Sequence, residues 1–320
     1  MLEKRAWLKA HADRLRRAIM LEPRGHADMY GALLTEPVSA ESDAGVLFMH
    51  NEGYSTMCGH GVVAVTTLVF ERDLISPKRA GELVLDSPAG SIRAKPRIAA
   101  PGRSHEMGPT GAGDNAPAPL PRRVESVSFV NVPSFVLHGG VPIRLGARQM
   151  LVDVAFGGAF YAIVDTEAAG IPIDIVRLQD LRRVGMEIKK AVEAARSVVH
   201  PADPGLKGIY GTIFTGQGRD RSADLRNVTI FADAEVDRSP CGTGTCAVMA
   251  VLDAMNLLPD GRPFVHESLI GTLFRGRVVA RTKVGDCDAI VPEIEGSAWT
   301  TGEHTFLIDD EDPLREGFRI

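Results

Sequence analysis

The sequence predicts a mixed α/β (α+β) protein of two pseudo-symmetric domains, with a site in the cleft between them. Three observations predict this. A Cys-Gly-x-Gly segment opening an apolar helix occurs twice, at Cys58 and at Cys241. Blocks flanking one copy recur around the other in the same order, and a Gly/Pro-rich stretch without apolar periodicity separates the two runs. A long repeat present only twice implies two similar domains about a pseudo-twofold axis, not a solenoid of short units. With 320 residues and 44% hydrophobic content, the chain can build two cores.

Taken in order, the first block pairs Leu15-Arg16-Arg17 with Leu181-Arg182-Arg183, each on an amphipathic stretch that reads as helix. Met29-Tyr30-Gly31-Ala32-Leu33-Leu34-Thr35 then pairs with Ile209-Tyr210-Gly211-Thr212-Ile213-Phe214-Thr215, both strand-like. Val46-Leu47-Phe48 and Thr229-Ile230-Phe231 follow, each Phe ten residues before its cysteine. Met57-Cys58-Gly59-His60-Gly61 runs into a helix through Phe70, and Pro240-Cys241-Gly242-Thr243-Gly244 into one through Leu252. Asp86-Ser87-Pro88-Ala89-Gly90 finally matches Glu267-Ser268-Leu269-Ile270-Gly271. The stretch 108–121 sets the boundary, giving a first half over 1–120 plus the C-terminal segment 298–320, and a second half over 121–297. The second half opens with strand-like runs, Val124 to Leu137 and Met150 to Val164; the first has none. Phe306-Leu307-Ile308 predicts a strand over Thr301 to Asp309 that returns to the first half.

Composition narrows the function. A net charge of -5 and a pI near 6.0 argue against nucleic-acid or anionic-membrane partners, and Arg14-Leu15-Arg16-Arg17 reads as a solvated helix face. No apolar stretch approaches the ~20 residues of a membrane helix, and Met1-Leu2-Glu3-Lys4-Arg5 lacks a signal-peptide core. A cytoplasmic location is expected. Four cysteines are too few and too irregularly spaced for a disulfide framework.

The cysteine loops carry the chemistry. A thiol at a helix N-terminus feels the positive end of the macrodipole, so its pKa is expected to fall and free thiolate to become available. The glycines at 59, 61, 242 and 244 let backbone approach a ligand, and the helix start leaves N–H groups free for an anion. If the two helix starts converge, one carboxylate could bridge both, with Cys58 on one face and Cys241 on the other. That suits proton exchange at the carbon beside the carboxylate: one thiolate removes the proton and the opposite thiol supplies another, inverting the centre with no cofactor. Two alternatives compete. Either cysteine alone reads as a small buried apolar residue. Cys58, His60, Cys241 and Cys246 could hold zinc, but Cys246 falls about 140° round the helix from Cys241 at ~100° per residue, so no metal is expected.

At these residues the chain resembles the proline racemase family. The segments 57–61 and Asp237-Arg238-Ser239-Pro240-Cys241-Gly242-Thr243-Gly244-Thr245 match its two cysteine motifs, and Glu22-Pro23-Arg24-Gly25-His26-Ala27-Asp28-Met29-Tyr30-Gly31 matches a third segment. The resemblance implies a diaminopimelate-epimerase-like fold and a cofactor-independent isomerase, a racemase or epimerase of proline or hydroxyproline. It makes Cys58 and Cys241 the acid/bases and gives the carboxylate to the backbones of Gly59, His60, Gly242 and Thr243. Asp237 would meet the ring nitrogen, although a carboxylate before a turn is equally well a structural cap. Tyr30 and Phe231 would wall the ring. Related dehydratases of trans-3-hydroxyproline typically carry Thr in place of Cys241, which favours racemisation. Asn51-Glu52-Gly53-Tyr54-Ser55 and Gly157-Gly158-Ala159-Phe160-Tyr161 resemble that dehydratase branch, which keeps dehydration open as the alternative, alongside a non-catalytic thiol- or ligand-binding homologue. The chain begins downstream of the opening strand that the family usually carries. A small amino acid is the expected partner, and a homodimer stays open.

Overall fold

The computed structural model describes residues 1–99, 122–259 and 261–319. The Gly/Pro-rich boundary at 108–121 lies outside them. The chain opens with α1 (Leu2–His11) and α2 (Asp13–Met20), followed by β1 (Tyr30–Thr35), β2 (Ala44–His50) and β3 (Tyr54–Ser55). Then come α3 (Gly59–Arg72), β4 (Leu83–Ser87), β5 (Gly90–Ile98) and β6 (Val124–Val130). The long hairpin β7 (Ser134–Leu145) and β8 (Arg148–Phe156) leads to β9 (Phe160–Asp165), α4 (Thr166–Ala169) and α5 (Leu178–Ala195). The short β10 (Val199–His200) and β11 (Asp203–Lys207) precede β12 (Ile209–Gly216), β13 (Leu225–Phe231) and β14 (Glu235–Asp237). The last elements are α6 (Gly242–Ala254), β15 (Phe264–Glu267), β16 (Leu273–Val284) and β17 (Cys287–Gly296).

One sheet runs through the molecule in the order β1-β2-β4-β5-β6-β17-β16-β15-β13-β12-β9-β8-β7, and a further β17–β7 pairing closes its later strands into a ring. The ring wraps α6, which touches β7, β8, β9, β16 and β17. The earlier strands curl over α3, which touches β1, β5, β6 and β17. This explains why α6 is buried from Gly242 through Val251, whereas α3, buried over most of its length, keeps a narrow outer stripe on which Ala64 and Leu68 are exposed. A single apolar cluster joins Val62, Val63 and Val69 of α3 to Ala247, Val248 and Met249 of α6, whereas α5 packs on a second cluster with β7, β8, β9, β12 and β13. The duplication is visible in the pairing: β1 and β2 are antiparallel, with Ala32 opposite Phe48, and β12 and β13 are antiparallel, with Gly211 opposite Phe231.

Two expectations are corrected. Arg16 is not solvated: it is 6% exposed, pairs with Asp13 at 2.7 Å and donates to the carbonyls of His50 and Asn51. A buried guanidinium requires such partners, and here it ties α2 to the end of β2. No strand forms over 301–309, where Leu307 is 84% exposed. An unbroken apolar triplet has no alternation to set one face inward, and the acidic run after it stays in water. The segment is nevertheless tied to early residues: Arg24 donates to the Leu307 carbonyl at 2.9 Å, Thr300 donates to Glu71 at 2.9 Å, and Glu22 and Phe318 exchange backbone bonds.

Candidate active site

The site is assembled from the two helix starts. Cys58 caps α3 and its sulfur accepts the Gly61 N–H at 3.3 Å; Cys241 caps α6 and accepts the Gly244 N–H at 3.3 Å. Repeated sequence thus yields repeated capping geometry. The backbones differ, however. Cys58 is extended with φ -147, while Cys241 has φ 61, a left-handed conformation costing a β-carbon residue about 1–3 kcal/mol. Helix geometry leaves the N–H groups of Gly59, His60, Gly242 and Thr243 without an intrahelical acceptor. The helices also meet end to end: a β-carbon on Gly59 would lie 2.5 Å from the Gly242 Cα, and one on Gly242 2.4 Å from the Gly59 Cα. Only glycine at both positions permits this approach, which aims two positive dipole ends at one spot and makes an anion site.

All nine residues singled out from the sequence, namely Cys58, Cys241, Gly59, His60, Asp237, Gly242, Thr243, Tyr30 and Phe231, line one cavity. Its free volume is about 10 Å³, the scale of a single water, too small for a ring-sized ligand unless the walls move apart. Three further residues share the wall: Met57, Tyr161 and Tyr210. Tyr210 carries a signal in the sequence, since the duplication sets it against Tyr30, and the two hydroxyls lie 3.2 Å apart. Tyr161 carries no such signal; its hydroxyl contacts the Thr243 hydroxyl at 2.6 Å and the Cys241 sulfur at 3.6 Å.

Electrostatics distinguish the two sides. His60 Nδ1 lies 3.3 Å from Asp237 and 3.1 Å from the Ser239 hydroxyl, which itself donates to Asp237 at 2.8 Å and accepts the Cys241 N–H at 3.1 Å. Burial opposes charge on His60, but the neighbouring Cys58 and Asp237 outweigh it and hold the imidazole well above its ordinary pKa. Asp237 is likewise buried, yet His60 and Ser239 keep its carboxyl below the usual range. Cys241 reverses the expectation of a lowered thiol. Burial, reinforced by the charge of Asp237, pushes it up, against the Tyr161 contact and the Gly244 N–H. Desolvation of a thiolate exceeds what one helix start returns. Burial also raises Tyr30, Tyr161 and Tyr210, so all three hydroxyls stay protonated. Cys246 is fully buried in the core, and Cys287 lies at the start of β17.

Known proteins are similar to this chain in sequence and in structure. The family model described as proline racemase matches residues 1–107 and 109–319. A trans-3-hydroxy-L-proline dehydratase of Bacillus cereus is 46% identical over 320 residues, covering 100% of this chain and 90% of the relative. A 3-hydroxyproline 2-epimerase of Burkholderia multivorans is 42% identical over 325 residues, with the same 100% and 90% coverage. Among solved structures, a hydroxyproline epimerase from Agrobacterium vitis with bound trans-4-OH-L-proline superposes with a TM-score of 0.83. It is 28% identical, with 99% of this chain and 86% of that one covered.

Proposed function

Because the chain belongs to the proline racemase family, we propose that it inverts the α-carbon of a hydroxyproline without a cofactor, Cys58 and Cys241 serving as the two acid/bases. One observation carries the reading: two thiol-capped helix starts meet around one closed cavity. The substrate carboxylate takes the free N–H groups of Gly59, His60, Gly242 and Thr243, which stabilise charge moving into it as the α-proton leaves. A Cys58 thiolate, balanced by cationic His60, removes that proton. Cys241, kept protonated by burial, supplies one to the opposite face. The roles exchange in the reverse direction. Asp237 offers the counter-charge that a ring ammonium needs in a dry cleft.

The ring wall supports a hydroxylated substrate. Tyr30, Tyr161 and Tyr210 bring three protonated hydroxyls to a cavity in which Phe231 is the apolar ring. Proline has nothing to pair with them. A site built to hydrogen-bond a substrate hydroxyl rejects the analogue lacking it by about 10⁴–10⁵. The Bacillus cereus and Burkholderia multivorans relatives are both named for 3-hydroxyproline, which favours that position of the hydroxyl. A second reading, dehydration, is favoured by the 46%-identical relative: the same carbanion would expel a 3-hydroxyl instead of taking a proton. The division into 1–120 with 298–320 and 121–297, whose parting admits substrate, belongs to this proposal, as does a cytoplasmic setting that keeps both thiols reduced.

The test is incubation with L-proline, trans-4-hydroxy-L-proline and trans-3-hydroxy-L-proline in deuterated water, followed by chiral analysis. Epimer carrying an α-deuteron is expected from trans-3-hydroxy-L-proline, and a cyclic imine marks the second reading. Absence of α-exchange with all three overturns both.

A further inference from the structure

The two thiols act at the α-carbon; none of Cys58, Cys241, His60 and Asp237 accounts for the fate of a ring hydroxyl. A different pair of buried ionisable groups lies behind the ring wall. Glu235 is fully buried, and neither of its carboxylate oxygens has a hydrogen-bond partner among the described residues. Its nearest charge partner is His50 Nδ1 at 3.6 Å, beyond hydrogen-bond reach; that nitrogen accepts the Glu52 N–H at 3.3 Å, which leaves Nε2 as the ring position that carries a proton. Strand periodicity puts Glu235 on the same face of β14 as Asp237, and its cross-strand partner is Phe231. His50 comes from the other half, at the end of β2, with Tyr30 as its cross-strand partner. The pair therefore spans the cleft. The His50 ring packs 5.9 Å from Tyr30, 6.2 Å from Tyr210 and 5.9 Å from Phe231, centroid to centroid. It also lines an open groove of about 690 Å³ beside the site, which gives it a route to solvent protons.

A buried carboxyl group without a hydrogen bond is costly and calls for an explanation. We propose that His50, held beside Glu235, supplies the proton that leaves with a substrate ring hydroxyl, acting through the Tyr30–Tyr210 hydroxyl pair. This deepens the dehydration reading and rests on it. With the carboxylate held at the helix starts, the far side of the ring faces the tyrosine wall. The step balances without an oxidant or reductant. The α-proton passes to Cys58, its electron pair becomes the Cα–Cβ double bond, and the C3–O bond breaks with its pair on oxygen; the resulting enamine tautomerises to the cyclic imine as its nitrogen loses a proton and C3 gains one. A tyrosine hydroxyl protonates that oxygen to water and is reprotonated by His50, which recovers its proton from the groove. His50 and Glu235 are positioning residues; the tyrosine touches substrate.

The experiment compares wild type with His50→Gln, Glu235→Gln and the double variant on trans-3-hydroxy-L-proline in deuterated water, following α-deuteration and imine release separately. General acid catalysis contributes about 10²–10⁴, and a tyrosine that His50 no longer reprotonates loses it, so kcat for imine release should fall about 10²-fold relative to α-exchange, with KM nearly constant. Parallel loss of both reactions, or no change in their ratio, overturns the proposal. The double variant removes both partners together and serves if a single variant unfolds. Wild-type enzyme that exchanges the α-proton but releases no imine overturns this inference and leaves epimerisation standing. Absence of all exchange removes the functional reading itself.

Discussion

Gly242→Ala tests the premise that contact between the two helix starts positions the thiols. A β-carbon on Gly242 would sit 2.4 Å from the Gly59 Cα, whereas ordinary contact begins at 3.4 Å, so the helix starts must part by about 1 Å. The obstructing atoms are backbone and cannot rotate away. Because Cys58 and Cys241 are the caps of those same helices, the separation passes directly to the sulfurs. A misplacement of about 1 Å costs on the order of 10²-fold in rate, and overpacking costs about 1–3 kcal/mol of stability. The assay is α-deuterium incorporation with trans-3-hydroxy-L-proline, alongside a thermal melt. Gly59→Ala, whose β-carbon meets the Gly242 Cα at 2.5 Å, should behave alike, and Gly53→Ala, with nothing within 4 Å, should not. Wild-type exchange by Gly242→Ala would refute the idea that this contact sets the thiol spacing.

Cys58→Ser and Cys241→Ser should each lower α-exchange by several orders of magnitude while the fold survives, because a serine hydroxyl is too weak an acid to furnish the base; near-normal turnover in either sinks the two-thiol mechanism. His266 is fully buried between Thr245 and Asn227, and burial pushes its pKa from 6.5 down to about 3. The unfolded chain binds this proton first, so the stability from neutral His266 is complete above pH 6.5 and is lost as the pH falls toward 3. The loss is roughly 3 kcal/mol between about pH 6.5 and pH 4. Urea midpoints measured across that range should fall less steeply in His266→Gln, and equal slopes would show that another group carries the acid sensitivity.

The fold class was legible because a duplication writes itself twice. Matched blocks at Tyr30 and Tyr210, Phe48 and Phe231, and Cys58 and Cys241 fix strand, strand and helix in the same order. The nine residues around the cavity were legible because most sit in, or just before, the two glycine loops, where a local motif fixes a local geometry. What escaped was tertiary. The rise of Cys241 depends on desolvation, which no helix-start signal reports. Arg16 looked solvated in a run of arginines, yet it reaches two carbonyls more than thirty residues away. Tyr161 and the His50–Glu235 pair join strands that are remote in sequence, so only the folded sheet brings them together.

Duplication supplies the frame, and the departures from it supply the direction of the chemistry. Both loops place a sulfur at a helix cap, but the second position of the helix is His60 in one and Thr243 in the other. His60 puts a cation beside Cys58, drawn up by Cys58 and Asp237, while Thr243 and Tyr161 surround Cys241 with neutral hydroxyls. Asp237 acts on both: it supports His60 and, through its own charge, helps keep Cys241 protonated. In the proposed mechanism, the cation near one sulfur and the anion near the other assign base to Cys58 and acid to Cys241. On the same proposal, a substrate ammonium that neutralises Asp237 would weaken that assignment, and binding would bring the two thiols closer to the interchangeable roles that reversible inversion requires.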